Sequence, residues 1–260
     1  MTIVGLVSLV IILIFFGLIV ILAVAGREDS GIKLRQIPAF SKIRRAIELT
    51  VEAGSRLHIS IGRGTITGPE SAAAFVGLSM LEKITTSAST GDNPPAVTAG
   101  DPALTILAQD TLKSSYQEIG LIVQYWRTSS QLTGVSPFSF AAGAIPIARD
   151  KKSSTSILIG NFGIEVALLT DGCERSGNMT LGGTDDMSAQ AVLYATANEP
   201  LIGEELFAGG AYLDAGPFHT ASLRAQDVVR WLLVIVILIG ILLNVLGLEH
   251  IITNLIGGIL

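Results

Sequence analysis

Residues 62–68, with the sequence GRGTITG, combine the residue types that best suit anion binding in this chain. Glycines let backbone N–H groups approach an anion, Arg63 supplies positive charge, and Thr65 and Thr67 supply hydroxyl groups. The spacing is GxGxxxG rather than GxGxxG, and no GK[ST] motif follows. Two interpretations therefore stay open: a loop that binds a nucleotide or another small anion, or a tight strand-to-helix connection that requires glycine.

Three aspartates extend this candidate site. Asp101, Asp185 and Asp186 follow predicted strands, and Mg²⁺ sites often use one or two carboxylates together with phosphate oxygens. Helix capping is the commoner role for an aspartate that precedes a helix, so we favour capping and expect no metal. The candidate ligand-binding residues are Gly62, Arg63, Gly64, Thr65, Thr67, Asp101, Asp185 and Asp186.

Known catalytic signatures are missing from the sequence. It contains no GxSxG or HExxH motif, and its three histidines are far apart. The single cysteine, Cys173, excludes an internal disulfide and is expected to be a buried small apolar residue. We therefore expect no cofactor and favour a protein that is not an enzyme. Four clustered aromatic residues are expected to contribute to the core or to partner contacts: Tyr125, Trp126, Phe138 and Phe140.

The elements that must position these residues alternate between strand and helix patterns. Strands are predicted at residues 57–61, 96–98, 121–125, 156–159 and 178–181, and a last helix at 201–213. Such alternation predicts a mostly parallel, Rossmann-like doubly wound sheet. In that fold ligands bind beyond the carboxyl ends of the strands. The loops expected there are residues 62–68, 99–101, 127–129, 160–161 and 182–186.

Two uncharged apolar runs, residues 3–25 and 231–248, flank this domain. At about 1.5 Å per residue, a helix of either length crosses most or all of a hydrocarbon core of about 30 Å. The first run exceeds the usual signal-peptide core, although Ala23-Val24-Ala25 resembles a cleavage site; we favour an uncleaved anchor. Lys and Arg flank the inner ends of both runs, which predicts a two-pass cell-membrane protein with a cytoplasmic central domain.

The predicted domain organisation has five parts. These are an anchor (1–26), a basic juxtamembrane segment with an amphipathic helix (27–56), an α/β domain (57–220), a second membrane helix (221–248) and an apolar tail (249–260). The amphipathic helix carries Lys42, Arg44 and Arg45, which either contact the membrane surface or form an ordinary solvated face. Asn244, a polar residue in the second membrane helix, is expected to contact a neighbouring helix.

Charge is unevenly distributed along the chain, whose net charge is −5. Basic residues predominate in residues 27–63, next to the first apolar run, and acidic residues predominate in 64–220. This pattern favours contact with a lipid bilayer that carries anionic headgroups and argues against nucleic acid as a partner. The expected partners are lipid, further copies of the chain and other membrane subunits.

Three stretches together resemble a family of uncharacterised bacterial membrane proteins. They are LHISIGRGTITGPESAAAFVGLSML (57–81), AGDPALTILAQDTL (99–112) and ANEPLIGEELFAGGAYLDAGP (197–217) followed by SLRAQDVVRW. The resemblance covers nearly the whole chain and implies an α/β domain between two membrane helices. It implies no activity, substrate or catalytic residue.

The function that we favour from the sequence is a non-enzymatic, membrane-anchored scaffold that assembles with copies of itself. The α/β domain and the membrane helices would both contribute to that assembly. The alternative is a membrane-tethered sensor or binding module for a nucleotide or another small anion at residues 62–68.

Overall fold

The computed structural model describes residues 3–25, 35–89, 91 and 93–246, without the side chains of residues 3, 4 and 127. Its chain divides into two compact units, an α/β unit over residues 33–215 and an apolar helical unit formed by 1–32 and 216–260. Predictions for the connector at 27–34, for Gly247 and Leu248 and for the tail at 249–260 lie outside the described residues.

The α/β unit is built on a sheet of six strands that are all parallel, in the order β3-β2-β1-β4-β5-β6. This order reverses between β1 and β4, which makes the sheet doubly wound and confirms the predicted fold class. The strands are β1 (Arg56–Gly62), β2 (Ala96–Ala99), β3 (Ser130–Leu132), β4 (Ser153–Asn161), β5 (Met179–Gly183) and β6 (Glu199–Leu201).

Helices cover both faces of this sheet. The helices α2 (Pro38–Glu52), α3 (Ser71–Ala88) and α4 (Pro102–Glu118) pack side by side on one face, and α5 (Pro137–Ala148), α6 (Val166–Arg175) and α7 (Met187–Thr196) pack on the other. A proline in the first turn starts α2, α4 and α5. Because both faces are covered, strands such as β1 are buried along nearly their whole length.

The amphipathic helix predicted from residue 38 is confirmed as α2. Its apolar residues Phe40, Ile43 and Ile47 are almost fully buried, and the helix packs against α3 and four strands of the sheet. Gly54 has a φ of +60° just beyond the helix end, as expected for a terminating glycine. The apolar face of α2 therefore belongs to the core of the α/β unit.

The predicted third strand at residues 121–125 is wrong. Gly120 ends α4 with a φ of +76°, and the chain then forms a short 3₁₀ helix at Ile122–Gln124 in which Val123 is 91% exposed. The true third strand is β3, whose sequence Ser-Gln-Leu has no apolar pattern to reveal it.

The helix predicted over residues 201–213 is also wrong. Glu199–Leu201 pairs with β5 as the sixth strand, in which Pro200 is tolerated because β6 lies at the sheet edge. A 3₁₀ helix (Gly203–Glu205) and a short helix, α8 (Gly209–Tyr212), follow.

The apolar unit contains two long helices, α1 (Ile3–Ala25) and α9 (Pro217–Val245), which contact each other. Both Gly5–Ala25 within α1 and Pro217–Val245 are long and apolar enough to cross a membrane. Their surfaces are largely exposed apolar side chains.

Candidate functional site at the carboxyl edge of the sheet

The loops that follow β1, β2 and β4 meet at the carboxyl edge, where the strand order reverses. The Gly100 amide donates a 2.9 Å hydrogen bond to the Gly62 carbonyl oxygen, and the Arg63 amide donates a 2.8 Å bond to the Asn161 carbonyl oxygen. The loop after β5 joins them, because Asp185 accepts a hydrogen bond from Asn161. The structure thus brings together four of the five loops predicted to line a crevice here.

Arg63 and Glu165 form a partly buried ion pair in the middle of this edge. Arg63 Nε donates a 2.8 Å hydrogen bond to Glu165 Oε1, which also accepts a 3.0 Å bond from the Gly163 amide. The side chain of Glu165 is 2% exposed and that of Arg63 is 21% exposed. The positive charge predicted to attract an anion is therefore neutralised from within the chain.

These contacts also determine the protonation state of Glu165. Burial alone raises the pKa of the Glu165 carboxyl group, but the hydrogen bond from Arg63, the backbone N–H bonds and the Arg63 charge together lower the pKa below its usual value of 4.5. Glu165 is a residue that sequence reasoning missed. The available signal was an acidic residue directly after the loop of a buried strand, but the sequence pattern predicts a helix over residues 163–175, which includes Glu165.

Two glycines at this edge are required for close packing. Gly62 has a φ of +74°, and a Cβ atom there would overlap the Asn161 carbonyl oxygen. A Cβ atom on Gly100 would overlap the Cγ atom of Arg63. The geometry thus supports the interpretation that the glycines serve a tight strand-to-helix connection.

The three aspartates of the candidate site have partners within the chain. Asp101 caps α4 by accepting a 2.8 Å hydrogen bond from the Leu104 amide, and Asp186 caps α7 by accepting one of the same length from the Ala189 amide. Asp185 accepts a 2.9 Å bond from Asn161 Nδ2. Within the described ranges, no three His, Cys, Asp or Glu side chains lie close enough together to hold a metal ion.

The remaining candidate residues of the first loop have different surroundings. Gly64 is buried against Asn161 and Glu70, whereas Thr65 and Thr67 are exposed. The predicted crevice loop at residues 127–129 does not belong to this edge, because these residues precede β3 and therefore lie at the amino edge of the sheet.

The buried His58 and Cys173 have structural surroundings. His58 Nε2 lies 3.0 Å from Thr98 Oγ1, and its Nδ1 lies 3.3 Å from Ser156 Oγ. Burial lowers the pKa of His58 to about 4 and raises the pKa of the Cys173 thiol. Both groups are therefore uncharged at neutral pH and lie within the core.

The basic residues of α2 are only partly free for an external partner. Lys42 is paired with Glu199, and Arg44 bonds to Asp214 Oδ2 at 2.8 Å, whereas Arg45 is exposed. Since the apolar face of α2 is covered by the sheet, these side chains would have to contact lipid by charge alone. Their contact with a membrane surface stays a prediction.

The aromatic residues divide between core and surface. Phe140 is fully buried, and the Tyr125 hydroxyl donates a 3.2 Å hydrogen bond to the Gln109 carbonyl oxygen. Phe138 and Trp126 are each 65% exposed, at opposite edges of the sheet. The two exposed rings are therefore available for contact with a partner or a ligand.

The sequence matches the family described as "Domain of unknown function (DUF6754)" over residues 2–256. The chain belongs to this family. No curated protein matches the chain. No solved structure matches it either. The DUF6754 family carries no assigned activity, so any function for this member must be argued from its own residues and geometry.

Proposed function

We propose that this DUF6754 protein is a non-enzymatic, membrane-anchored scaffold that assembles with copies of itself through α9. The observation that carries this proposal is the polar side chain of Asn244 on an otherwise apolar helix surface. It is exposed, and among the described residues no group hydrogen-bonds to its carboxamide. A carboxamide in hydrocarbon without a partner is unfavourable, so Asn244 favours association with another helix.

The neighbourhood of Asn244 suits such an association. Gly240 precedes it by one helical turn and therefore lies on the same face of α9. Nothing lies within 4 Å of the position that a Cβ atom on Gly240 would occupy. A small residue next to a polar one lets two helices approach closely enough for their carboxamides to hydrogen-bond.

The cell membrane is the proposed location, with the α/β unit in the cytoplasm. Arg224 and Arg230 precede the apolar part of α9, and Arg27, Lys33 and Arg35 follow the first apolar run. Basic residues at these positions are typical of the cytoplasmic side of a bacterial membrane.

Binding of a small anion at residues 62–68 is less well supported than assembly. An anion that recruited Arg63 would compete with Glu165, whose carboxylate is buried and would lose its charged partner. A sensor at residues 62–68 would therefore need a ligand that also supplies Glu165 with a new hydrogen-bond donor or positive charge.

Energy transfer between differently labelled copies of the full chain, reconstituted in lipid vesicles, tests the proposal. We expect saturable transfer for the wild type. Asn244→Leu should weaken association by roughly fivefold, since a hydrogen bond between membrane helices contributes about 1 kcal/mol.

The matched control combines Asn244→Leu with Leu242→Asn. This variant keeps one asparagine in the helix but moves it by about 200° around the helix axis, away from Gly240. It should not restore association. Unchanged transfer in Asn244→Leu would contradict assembly through this face of α9.

A further inference from the structure

A groove of about 720 Å³ lies at the amino ends of β1, β2 and β3. The Arg63–Glu165 pair lies at the opposite, carboxyl ends of the strands. The walls of the groove come from the start of β1, the segment before β2, the 3₁₀ helices before β3 and the end of α5. The volume falls within the range of about 300–1,000 Å³ that small-molecule sites occupy.

Two charged side chains in this groove have unused hydrogen-bonding capacity. Arg56 Nη1 lies 3.6 Å from Asp150 Oδ2, which is too long for a hydrogen bond. The Nε atom of Arg56 is buried, and in the described part of the chain no acceptor bonds to it. The side chains of Arg56 and Asp150 are 30% and 38% exposed, so the terminal guanidinium nitrogens, rather than the buried Nε, can donate to a ligand, and Asp150 Oδ2 can accept from one.

The other lining side chains are apolar or uncharged. Trp126 is 65% exposed and lines the groove together with Pro94 and Pro95. Gln124 and Gln131 add amide groups that both donate and accept. The described lining carries one positive and one negative charge, and this balance favours a neutral ligand.

We propose that this groove binds a neutral sugar. A sugar hydroxyl group is both a donor and an acceptor, so neighbouring hydroxyls can accept from Arg56 and donate to Asp150 at the same time. The apolar C–H face of a pyranose ring packs on an indole face such as that of Trp126. An inorganic anion would satisfy Arg56 but would be repelled by Asp150, and a purely apolar ligand would offer neither side chain a hydrogen-bond partner.

The test uses the full chain in lipid nanodiscs, because detergents with sugar headgroups would compete for the groove. Trp126 and Trp231 are the two tryptophans of the chain, so a Trp231→Phe background leaves Trp126 as the fluorescent reporter. Titration with glucose, galactose, N-acetylglucosamine and maltose should give a saturable change in Trp126 fluorescence for at least one of them.

Asp150→Asn is the decisive variant, since asparagine can still accept the bond from the Lys152 amide but lacks the charge. It should weaken sugar binding by roughly tenfold, because hydrogen bonds to charged groups contribute about 1.5–3 kcal/mol. Asp110→Asn, which removes an exposed carboxylate of α4 outside this groove, is the matched control and should leave affinity unchanged.

Saturation-transfer NMR on Trp126→Ala gives a second, fluorescence-independent measurement, and that variant should lose the signal from the sugar. Three results would overturn the proposal. They are no saturable response to any of the four sugars, equal affinity of Asp150→Asn and the wild type for the sugar, or binding of a decaproline peptide by a groove that binds none of the sugars. Thermal unfolding of each variant checks that it folds like the wild type.

Discussion

The charged side chains at the two edges of the sheet differ in their hydrogen bonding. At the carboxyl edge, Arg63 and Glu165 bond to each other at 2.8 Å and Asp185 accepts from Asn161. At the amino edge, Arg56 and Asp150 stay 3.6 Å apart beside an exposed tryptophan. Doubly wound sheets usually bind ligands at the carboxyl edge. Here Arg63 and Glu165, the partly buried ion pair of that edge, connect two of its loops to each other. Sheet topology alone therefore does not show where this chain would bind a ligand.

The largest expected effect comes from breaking the pair at the carboxyl edge. Arg63→Met leaves the Glu165 carboxylate buried without its charged partner and should lower the free energy of unfolding by about 3–5 kcal/mol. Denaturant unfolding of the full chain, followed by circular dichroism, measures this loss.

Two controls sharpen this first result. The double variant Arg63→Met/Glu165→Met removes both charges and should recover most of the lost stability. At the opposite edge, Gln131→Ala should change stability by no more than about 0.5 kcal/mol. A loss in Arg63→Met as small as that in Gln131→Ala would mean that the pair does not hold the carboxyl edge together.

The second expected effect is a pH dependence of the stability of the folded chain. It comes from His58, which is buried in the core between the two edges of the sheet. The pKa of His58 is about 4 in the folded chain and 6.5 in the unfolded chain, so the folded state binds fewer protons between these values. Stability is full above pH 6.5 and should fall by roughly 3 kcal/mol as the pH decreases to about 4. His58→Gln should flatten this part of the curve.

Glu165 contributes to the same curve at lower pH. Because its folded pKa lies below 4.5, its contribution is present above that value and is lost as the pH falls through the lowered pKa. Glu165→Gln should therefore remove pH dependence only below about pH 4.5. If His58→Gln retained the full slope between pH 6.5 and 4.5, the burial argument for His58 would be incorrect.

The smallest effect concerns the cap at the carboxyl edge. Asp186→Ala removes the bond to the Ala189 amide and should cost about 1 kcal/mol, whereas Asp186→Asn keeps a capping oxygen and should cost much less. Thermal unfolding compares the two variants. An equal loss in both would indicate that the negative charge matters more than the cap, as a bound cation would require.

Sequence patterns predicted the fold class because long buried strands and capped helices leave strong local signals. The buried run Ile157-Leu158-Ile159 within β4 and the Asp101-Pro102 start of α4 are examples. β3 and β6 were missed because three-residue edge strands have almost no pattern of their own, and their pairing comes from neighbours distant in sequence.

The candidate site was predictable in position but not in its internal bonding. The loops after β1, β2, β4 and β5 follow their strands as expected, since carboxyl ends of parallel strands share one edge. The pairing of Arg63 with Glu165 joins residues far apart in the chain, and no local spacing indicates it. Residues 127–129 were placed at the wrong edge because the preceding strand was misassigned.

The most direct test of self-assembly is the native mass of the full chain released from lipid nanodiscs, recorded together with any bound small molecule. Assembly through α9 predicts a defined multiple of 27.2 kDa, which Asn244→Leu should reduce. A monomer that carries one equivalent of a nucleotide or another anion, unchanged by Asn244→Leu, would contradict it and would favour a sensor at residues 62–68.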